Sequence, residues 1–167
     1  MRLRRFLASD AEAMRGLLDD AEAQQWNPIT TDLETWVASQ NEDGDFLSWA
    51  ITSCDDDRPL GAVSLTKIDR RQGTGHLGYR VLPDERGRGV ATAGSLLAAR
   101  HGFEVIGLRR IELFHALANP ASCVVAERAG FLLEGTLRAA YVYGDGVAHD
   151  EHLHARLAAD PTPDPLP

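Results

Sequence analysis

The chain has 167 residues, 44% of them hydrophobic, and a formal net charge of −8 at pH 7. That length suits one globular domain with a sizeable core. The acidic balance argues against nucleic acid as the main partner, because nucleic-acid binding usually needs a basic face. No apolar run reaches the ~18 residues expected of a membrane span, and residues 1–6 lack the apolar stretch and cleavage site of a signal peptide. We therefore expect no membrane and no nucleic-acid partner.

The two cysteines, Cys54 and Cys123, stand apart in the sequence and form no CxxC motif. Such spacing predicts free thiols and a reducing, cytoplasmic location. Neither cysteine lies in a motif that would activate a thiolate, so no covalent enzyme intermediate is expected at either residue.

The first half of the chain predicts a strand at residues 2–7 and then two helices, which run to about Gln24 and about Asn41. Each helix start carries a capping-box pattern. The two patterns are Ser9 with Glu12 and Thr31 with Glu34. A polar turn at residues 41–45 follows. Beyond it, three strands are predicted, at residues 46–52, 60–68 and 74–82.

The second half predicts a helix at residues 90–105, a strand at 110–117, a helix at 119–129, and strands at 131–143 and 147–157. Gly107 ends the first of these helices. Asn119 is a good N-cap, with Pro120 in the first helical position. A Gly-Asp-Gly turn at 144–146 joins the last two strands. Residues 158–167 are predicted to form a proline-rich, frayed tail.

This order of strands and helices predicts an α/β fold, in which a central, twisted mixed sheet is flanked by helices on both faces. Residues 1–157 would form a single domain. The strand–helix–strand unit at residues 76–117 should be a parallel, right-handed crossover.

The segment from Leu82 to Ala93 combines two glycines, two arginines and a helix start made of small residues. Gly87 and Gly89 can adopt positive φ and so turn successive N–H groups into one concavity. The helix that follows adds its free N–H groups and the positive end of its dipole. The segment therefore predicts a phosphate-binding loop; the alternative is a surface turn that joins a strand to a helix.

The spacing of Arg86, Gly89 and Ala91 in this loop resembles the acetyl-CoA pyrophosphate loop of the GNAT family of N-acetyltransferases. Further patterns extend the resemblance over residues 2–157. They are Gly78-Tyr79 on the preceding strand, Asn119-x-x-Ser122 at a helix start, and Glu134-Gly135-x-x-Arg138 before the hairpin that leads to Asp150. Together they are similar to the bacterial RimJ/RimL type, which acetylates the N-termini of ribosomal proteins.

The resemblance implies the GNAT acyl-CoA N-acyltransferase fold, with acetyl-CoA as cosubstrate. It implies direct transfer of the acetyl group to a primary amine, either a protein α-amine or a small-molecule amine. A homodimer is left open, since relatives often dimerise. In this family a backbone N–H near Val81 polarises the thioester carbonyl, and the asparagine at position 119 bonds the pantetheine arm. The cofactor-binding residues that the resemblance implies are Val81, Arg86, Gly87, Arg88, Gly89, Val90, Ala91, Asn119 and Ser122.

Acetyl transfer also needs a base for the amine and a proton for the leaving thiolate. His76 is the candidate base, because an imidazole with a pKa near 6.5 can accept the proton directly or through water. It stands where relatives often have Glu, although it could simply be a polar residue on a half-exposed strand. Ser122 can protonate or hold the thiolate, although Ser is common in a first helical turn. The chain departs from its relatives at Ala126 and His154, where Tyr is frequent.

The resemblance places Trp26 beside the acceptor groove, and Tyr79 and Asp150 on the substrate side. On a strand, residue 150 shares a face with His152 and His154, as a metal would require. No fourth ligand with a recognised spacing accompanies them, so no metal is expected.

Other functions fit parts of the sequence. The spacing of Gly73-x-Gly75-x-x-Gly78 fits the glycine fingerprint of dinucleotide-binding enzymes. Its context does not fit, because the run precedes a strand and does not begin a helix. An acyl-CoA-binding module without catalysis would keep the phosphate loop and lack a working base. A small-amine or antibiotic acetyltransferase would differ only in its acceptor, which the sequence does not reveal.

Overall fold

The computed structural model describes residues 1–41 and 44–163. Within them, the strands form one sheet in the order β1-β2-β3-β4-β5-β7-β6. The strands are β1 (Arg2–Arg4), β2 (Leu47–Thr52), β3 (Pro59–Asp69), β4 (Thr74–Val81), β5 (Arg110–Ala116), β6 (Leu132–Val142) and β7 (Ala148–Leu157). The β4–β5 pair is parallel and the other neighbours are antiparallel, which confirms the predicted mixed sheet and its parallel crossover.

Six α-helices accompany the sheet in the described residues: α1 (Asp10–Ala13), α2 (Gly16–Asp19), α3 (Ala21–Trp26), α4 (Leu33–Ser39), α5 (Val90–His101) and α6 (Pro120–Arg128). A 3-10 turn at Pro83–Glu85 precedes α5, and a π-helical turn at Gly102–Ile106 continues it. None of the helices in the described part of the chain has both the length and the apolar character that a bilayer crossing requires.

The long helix predicted over residues 9–24 is wrong, because this segment folds as three short helices. Ser9 itself has helical φ and ψ, and its side chain makes no capping hydrogen bond. Asp20 has an extended backbone with ψ of 115°, which ends α2. Its carboxylate then accepts a 2.7 Å hydrogen bond from the Ala23 N–H and so begins α3. The chain thus uses an aspartate in mid-segment as a new cap.

The second capping-box prediction is also displaced. The N-cap of α4 is Asp32, not Thr31, and its carboxylate accepts a 2.8 Å hydrogen bond from the N–H of Thr35. Asn119 is confirmed as the N-cap of α6, with Oδ1 accepting from the Ser122 N–H at 3.3 Å. The predicted turn at 41–45 includes residues 42 and 43, and the predicted tail includes 164–167; both pieces lie outside the described residues.

The two faces of the sheet bury separate apolar cores, as the alternation of side chains in β2 and β3 requires. Ile51 and Val63 face α5 and α6. Ala50 and Ala62, their neighbours in the chain, face α1 to α4. The helices therefore cover both faces of the sheet, as predicted.

The parallel pair β4–β5 holds together over a short distance only. Its paired residues are Thr74 with Arg110, Gly75 with Ile111 and His76 with Glu112. Beyond His76, β4 stays with β3 and β5 stays with β7. A gap therefore opens in the middle of the sheet, and the candidate site lies in it.

The β6–β7 hairpin reaches back to the N-terminal helices. At its tip, the Gly144 N–H donates a 2.8 Å hydrogen bond to the carbonyl oxygen of Gln25 in α3. A Cβ at position 144 would collide with the backbone carbonyl of Gln24, so only glycine permits this approach. The hairpin tip and α3 thus form one wall beside the gap.

Candidate functional site

A cleft of about 460 Å³ occupies the gap between β4 and β5. Its walls come from both strands, from the start of α5, from α6, and from α3 with the hairpin tip. Side chains alternate along β4, so Tyr79 shares the face of α5 and α6 and Arg80 shares the face of α1 to α4. The cleft is therefore open to groups from both faces of the sheet.

The phosphate-binding end of the cleft is the loop before α5. Gly87 and Gly89 have φ of 73° and 77°, and Gly89 is the N-cap of the helix. Glycine has no side chain to cap the helix, and the first intrahelical bond runs from the Ala93 N–H to the Gly89 carbonyl at 2.9 Å. The N–H groups of Val90 and Ala91 precede that bond. They remain available, with the helix dipole, for an anion.

The two loop arginines are engaged with carboxylates. Arg86 forms ion pairs with Asp20 at 2.5 Å and with Glu22 at 2.9 Å. Arg88 pairs with Glu85 at 2.8 Å. The pKa of the Asp20 carboxyl is lowered, chiefly by its hydrogen bond from Arg86. These pairs neutralise much of the loop's positive charge, so an anion here depends mainly on backbone N–H groups.

The Val81 N–H faces the gap. The next residue, Leu82, donates its N–H to the carbonyl of Leu60 in β3 at 3.0 Å. Successive N–H groups of a strand point to opposite edges, so the N–H of Val81 points away from β3 and toward the diverging β5. It can donate to a carbonyl oxygen bound in the cleft.

Asn119 and Ser122 line the cleft from the start of α6. The N-cap bond uses only Oδ1 of Asn119, which leaves its amide N–H donors for a ligand.

The Tyr79 hydroxyl is buried in the cleft wall and has no hydrogen-bond partner in the described part of the chain. Burial raises its pKa to about 12, while the nearby Ser122 acts in the opposite direction. At neutral pH this phenol is protonated and can donate. Sequence analysis placed Tyr79 only on the substrate side; its buried, unpartnered hydroxyl is a tertiary feature that no sequence signal marks.

Aromatic residues line the opposite end of the cleft. Trp26, the last residue of α3, makes edge-to-face contacts with Tyr143 at 5.4 Å and with His149 at 5.7 Å between ring centroids. Tyr143 donates a 2.6 Å hydrogen bond to Oε1 of Glu151. Trp26 and Tyr143 both lie in the cleft wall.

Arg80 places a half-buried guanidinium in the same part of the cleft. It donates to the carbonyl oxygen of Asn27 at 3.2 Å and to Oδ1 of Asn27 at 2.6 Å. Its Cζ lies 5.4 Å from the ring centroid of Trp36. Burial lowers its pKa to about 10, so it keeps its charge at neutral pH, and no carboxylate in the described residues pairs with it. The sequence analysis missed this residue.

Arg88 does not line the cleft, and two further predicted site residues also lie outside its wall. The Nε2 atom of His76 is 3.3 Å from Oε2 of Glu112, and its ring packs against Phe114 at 4.9 Å between centroids. Phe114 lines the cleft, whereas His76 does not. Burial lowers the pKa of His76 below its ordinary value, and the nearby Glu112 acts in the opposite direction.

Asp150 is the second such residue. Its Oδ1 accepts a 2.7 Å hydrogen bond from the N–H of Ala139, which has a positive φ of 45°. Ala139 lies where the β6–β7 register shifts. Asp150 therefore supports an irregular stretch of β6 and takes no part in the cleft wall.

This chain is similar to known proteins in sequence and in fold. The profile of the family described as acetyltransferase (GNAT) domain matches residues 1–132. A putative ribosomal N-acetyltransferase of Bacillus subtilis, YdaF, is 33% identical over 54% of this chain and 49% of its own length. The match thus spans about half of that relative.

Solved structures resemble the whole fold. RimJ of Mycobacterium smegmatis in complex with CoA-disulfide is 26% identical, covers 93% of this chain and 81% of its own, and has a TM-score of 0.82. Spermidine N-acetyltransferase of Vibrio cholerae in complex with CoA and spermine is 20% identical, covers 95% of both chains, and has a TM-score of 0.81. At 20% identity, the similarity to spermidine N-acetyltransferase is evidence for a shared fold only.

Proposed function

Because this chain belongs to the acetyltransferase (GNAT) domain family, we propose that it is an acetyl-CoA-dependent N-acetyltransferase that transfers the acetyl group directly to a primary amine. The observation that carries the proposal is the helix start behind Gly87 and Gly89, which has no side-chain cap and lies at one end of a cleft between β4 and β5. Such a start holds a diphosphate, and the cleft gives the attached arm a path into the sheet.

The cofactor would lie along the cleft. Its diphosphate meets the N–H groups of residues 87–91, its pantetheine arm meets the Asn119 amide, and its thioester carbonyl accepts from the Val81 N–H. The similar RimJ was solved with CoA-disulfide, which supports CoA as the ligand.

The proton for the leaving thiolate would come from Tyr79 or Ser122. Both line the cleft on the α6 side, and the Tyr79 hydroxyl is protonated and otherwise unpartnered. Relatives often have a tyrosine at position 126, but Ala126 here is fully buried and carries no donor. In this chain the phenol would come from Tyr79 on β4, whereas in those relatives it comes from the helix that corresponds to α6.

His76 is retained as the proposed base. It lies on β4 two residues before Gly78, which lines the cleft. Its ring reaches the cleft only through contact with Phe114, so the proton must pass through water. If His76 has no such role, the amine loses its proton to bulk water.

The acceptor end favours a peptide over a polyamine. Of the carboxylates in the cleft wall, Glu22 and Glu85 are ion-paired with loop arginines. Arg80 has no carboxylate partner among the residues described. A polyamine would bring a second ammonium toward this guanidinium and find no free anion. A peptide brings carbonyl oxygens, which accept from a guanidinium. The acceptor we infer is therefore a protein α-amine.

The net charge of −8 favours cations in general. Salt at physiological strength screens exposed charges beyond about 8 Å. The half-buried Arg80 therefore has more influence on a bound acceptor than the distant surface carboxylates.

Intact-mass measurement of acetyl-CoA turnover tests the proposal. The panel contains short peptides with free α-amines, spermidine and an aminoglycoside, together with a sample that holds enzyme and acetyl-CoA alone. We expect acetylated peptide and no mass added to the enzyme. Acetylated spermidine without acetylated peptide would refute the acceptor assignment. CoA binding with no product from any amine would make the protein a non-catalytic acyl-CoA-binding module.

Three further expectations accompany this proposal: a single domain over residues 1–157, a cytoplasmic location, and a homodimer as the candidate oligomeric state. The exposed Cys54 thiol suits a reducing compartment. The edge strand β6 leaves Leu132 and Tyr141 67% and 58% exposed, and apolar residues on an edge strand are typical of an interface. Light scattering of the purified protein would determine its oligomeric state.

A further inference from the structure

Four metal-ligating side chains from three elements meet beside the cleft. They are His115 on β5, Cys123 on α6, and His152 and His154 on β7. One ligand atom from each lies within 4.8 Å of the others. His115 and His152 are cross-strand partners, and His154 follows two residues later on the same face. The cluster therefore follows directly from the sheet register, with α6 packed over it.

The hydrogen bonds of two histidines direct their free nitrogens at each other. Nδ1 of His115 lies 2.9 Å from the Ala116 carbonyl oxygen, and Nδ1 of His154 lies 3.3 Å from the Phe131 carbonyl oxygen. A carbonyl oxygen only accepts, so both Nδ1 atoms carry the hydrogen and both Nε2 atoms present a lone pair. These two Nε2 atoms are 3.2 Å apart. Two facing lone pairs at this distance repel each other unless a hydrogen or another cation lies between them.

A proton is the simplest such cation, but burial works against it. His154 is fully buried and His115 is 5% exposed. Placing an imidazolium in such buried surroundings costs desolvation free energy. A group that coordinates both nitrogens without protonating either one resolves this conflict.

We propose that His115, Cys123, His152 and His154 bind one divalent transition-metal ion, for which Zn²⁺ is the best match. Tetrahedral zinc with ordinary bond lengths places two ligand nitrogens about 3.3 Å apart, and a sulfur and a nitrogen about 3.6 Å apart. The Nε2 atoms of His115 and His154 are 3.2 Å apart, and Sγ of Cys123 is 3.7 Å from Nε2 of His154. These spacings match two edges of the tetrahedron.

The surroundings of the cluster fit the same ion. The carbonyls of Ala116 and Phe131 hold the rings by their Nδ1 atoms, as outer partners of metal-bound histidines usually do. Nδ1 of His152 is buried and has no hydrogen-bond partner among the described residues. Three imidazoles and a thiolate select zinc or a similar ion over Mg²⁺ and Ca²⁺, which prefer oxygen.

Binding has a defined proton balance and a defined structural effect. The Cys123 thiol becomes a zinc-bound thiolate and releases one proton to solvent. Four protein ligands leave no open position, so the ion would be structural and would take no part in the chemistry. It ties α6, which carries Asn119 and Ser122, to β5 and β7. It thereby fixes the start of α6 against the cleft.

The sequence analysis expected no metal because it found no fourth ligand to accompany the run of residues 149–154, which contains Asp150, His152 and His154. The structure divides that run. His149 pairs with Asp145 at 2.9 Å, and Asp150 bonds the Ala139 N–H. The missing ligands, His115 and Cys123, come from elements distant in the sequence.

The test uses the full chain without a histidine tag. Wild-type protein freed of metal by chelation is titrated with Zn²⁺ and, separately, with Co²⁺, whose absorption reports thiolate ligation. We expect one equivalent of either metal per chain, a thiolate-to-cobalt band, and a higher melting temperature with Zn²⁺. Cys123→Ser should lose the band and weaken Zn²⁺ binding by roughly tenfold or more. Cys54→Ser, which removes the exposed thiol, should behave as wild type.

Folded wild-type protein that binds no stoichiometric Zn²⁺ would overturn the proposal, as would a cobalt spectrum that Cys123→Ser leaves unchanged. If circular dichroism shows that Cys123→Ser is unfolded, His152→Gln replaces it, with His149→Gln as the matched control. In that comparison, weakened Zn²⁺ binding only in His152→Gln supports the site. Equal binding by the two variants rejects it.

Discussion

Arg80 donates a 2.6 Å hydrogen bond from Nη2 to Oδ1 of Asn27, and this contact holds a charged guanidinium in the wall of the cleft. Asn27 directly follows α3, whose last residue is Trp26. The helix that supplies an aromatic wall thus also positions the cation beside it. In the proposed binding mode the acceptor meets both groups together, which makes Arg80 the most direct probe of acceptor choice.

Replacing Arg80 with Gln should lower kcat/KM for a peptide acceptor by roughly 10- to 100-fold, as expected for losing a hydrogen bond from a charged donor. The loss should appear mainly in KM, with the affinity for acetyl-CoA unchanged. Steady-state kinetics against peptide and spermidine measure it. Arg71→Gln, at an exposed surface position, is the control. Equal kcat/KM values for Arg80→Gln and wild type would show that the acceptor does not contact this guanidinium.

Gly89→Glu should abolish CoA binding while the fold survives. The residue has φ of 77° and lies at the start of α5, so a side chain there is strained and its carboxylate repels a diphosphate. Calorimetric titration with CoA measures the loss. Gly107→Glu shares the positive φ of 82° and meets no neighbour within 4 Å, so it controls for strain alone. Unchanged affinity in Gly89→Glu would mean that the diphosphate binds elsewhere.

Tyr79→Phe separates a proton donor from a packing residue. Removing a buried hydroxyl that has no partner should not lower the free energy of unfolding. It should lower kcat by about 10²-fold or more if the phenol protonates the thiolate. Because its pKa is about 12, the pH profile between neutrality and pH 9 should keep its shape. Denaturant unfolding and single-turnover kinetics together test this. A variant with lowered stability and wild-type kcat would assign Tyr79 to packing.

His76→Ala tests the base. A base works in its deprotonated form, so activity should fall as pH drops through the His76 pKa, which burial holds below 6.5. If His76 is the base, the variant should lose ~10²–10⁴-fold in kcat and also lose this acidic limb. His76→Glu should restore part of the rate. A His76→Ala enzyme with wild-type kcat and an unaltered profile would leave bulk water as the proton acceptor.

Local signals in the sequence were enough to predict part of the backbone geometry around the cleft. Gly89 and Asn119 were predicted correctly because a positive φ and an N-cap are demands that a single residue meets within its own turn. The start of α3 at Asp20 was missed; the carboxylate that caps this helix also pairs with Arg86, 66 residues further along the chain. A capping pattern read from a few neighbouring residues does not reveal a partner so distant in the chain.

Burial explains the remaining differences. Arg80 and Tyr79 are adjacent residues of β4 with no distinctive sequence signal, and their proposed roles arise only because β5 diverges from β4 beside them. His76 was singled out because relatives have Glu there, yet its ring lies against Phe114 outside the cleft. The imidazole of His76 indicated that it could act as a base, but the residue type did not indicate where the ring would lie relative to the cleft.

The short pairing of β4 with β5 has a thermodynamic consequence. Each strand leaves backbone groups along the gap without a neighbouring strand, so the sheet has an interior seam between β4 and β5. A ligand with amide groups of its own can fill that seam as a further strand would. Ligand binding and folding are then linked, and at 100 times its Kd the ligand adds about 2.7 kcal/mol to the free energy of unfolding. The melting temperature of the protein should accordingly rise in excess acetyl-CoA. In the cell, degradation of the protein should slow when acetyl-CoA is abundant and quicken when it is scarce.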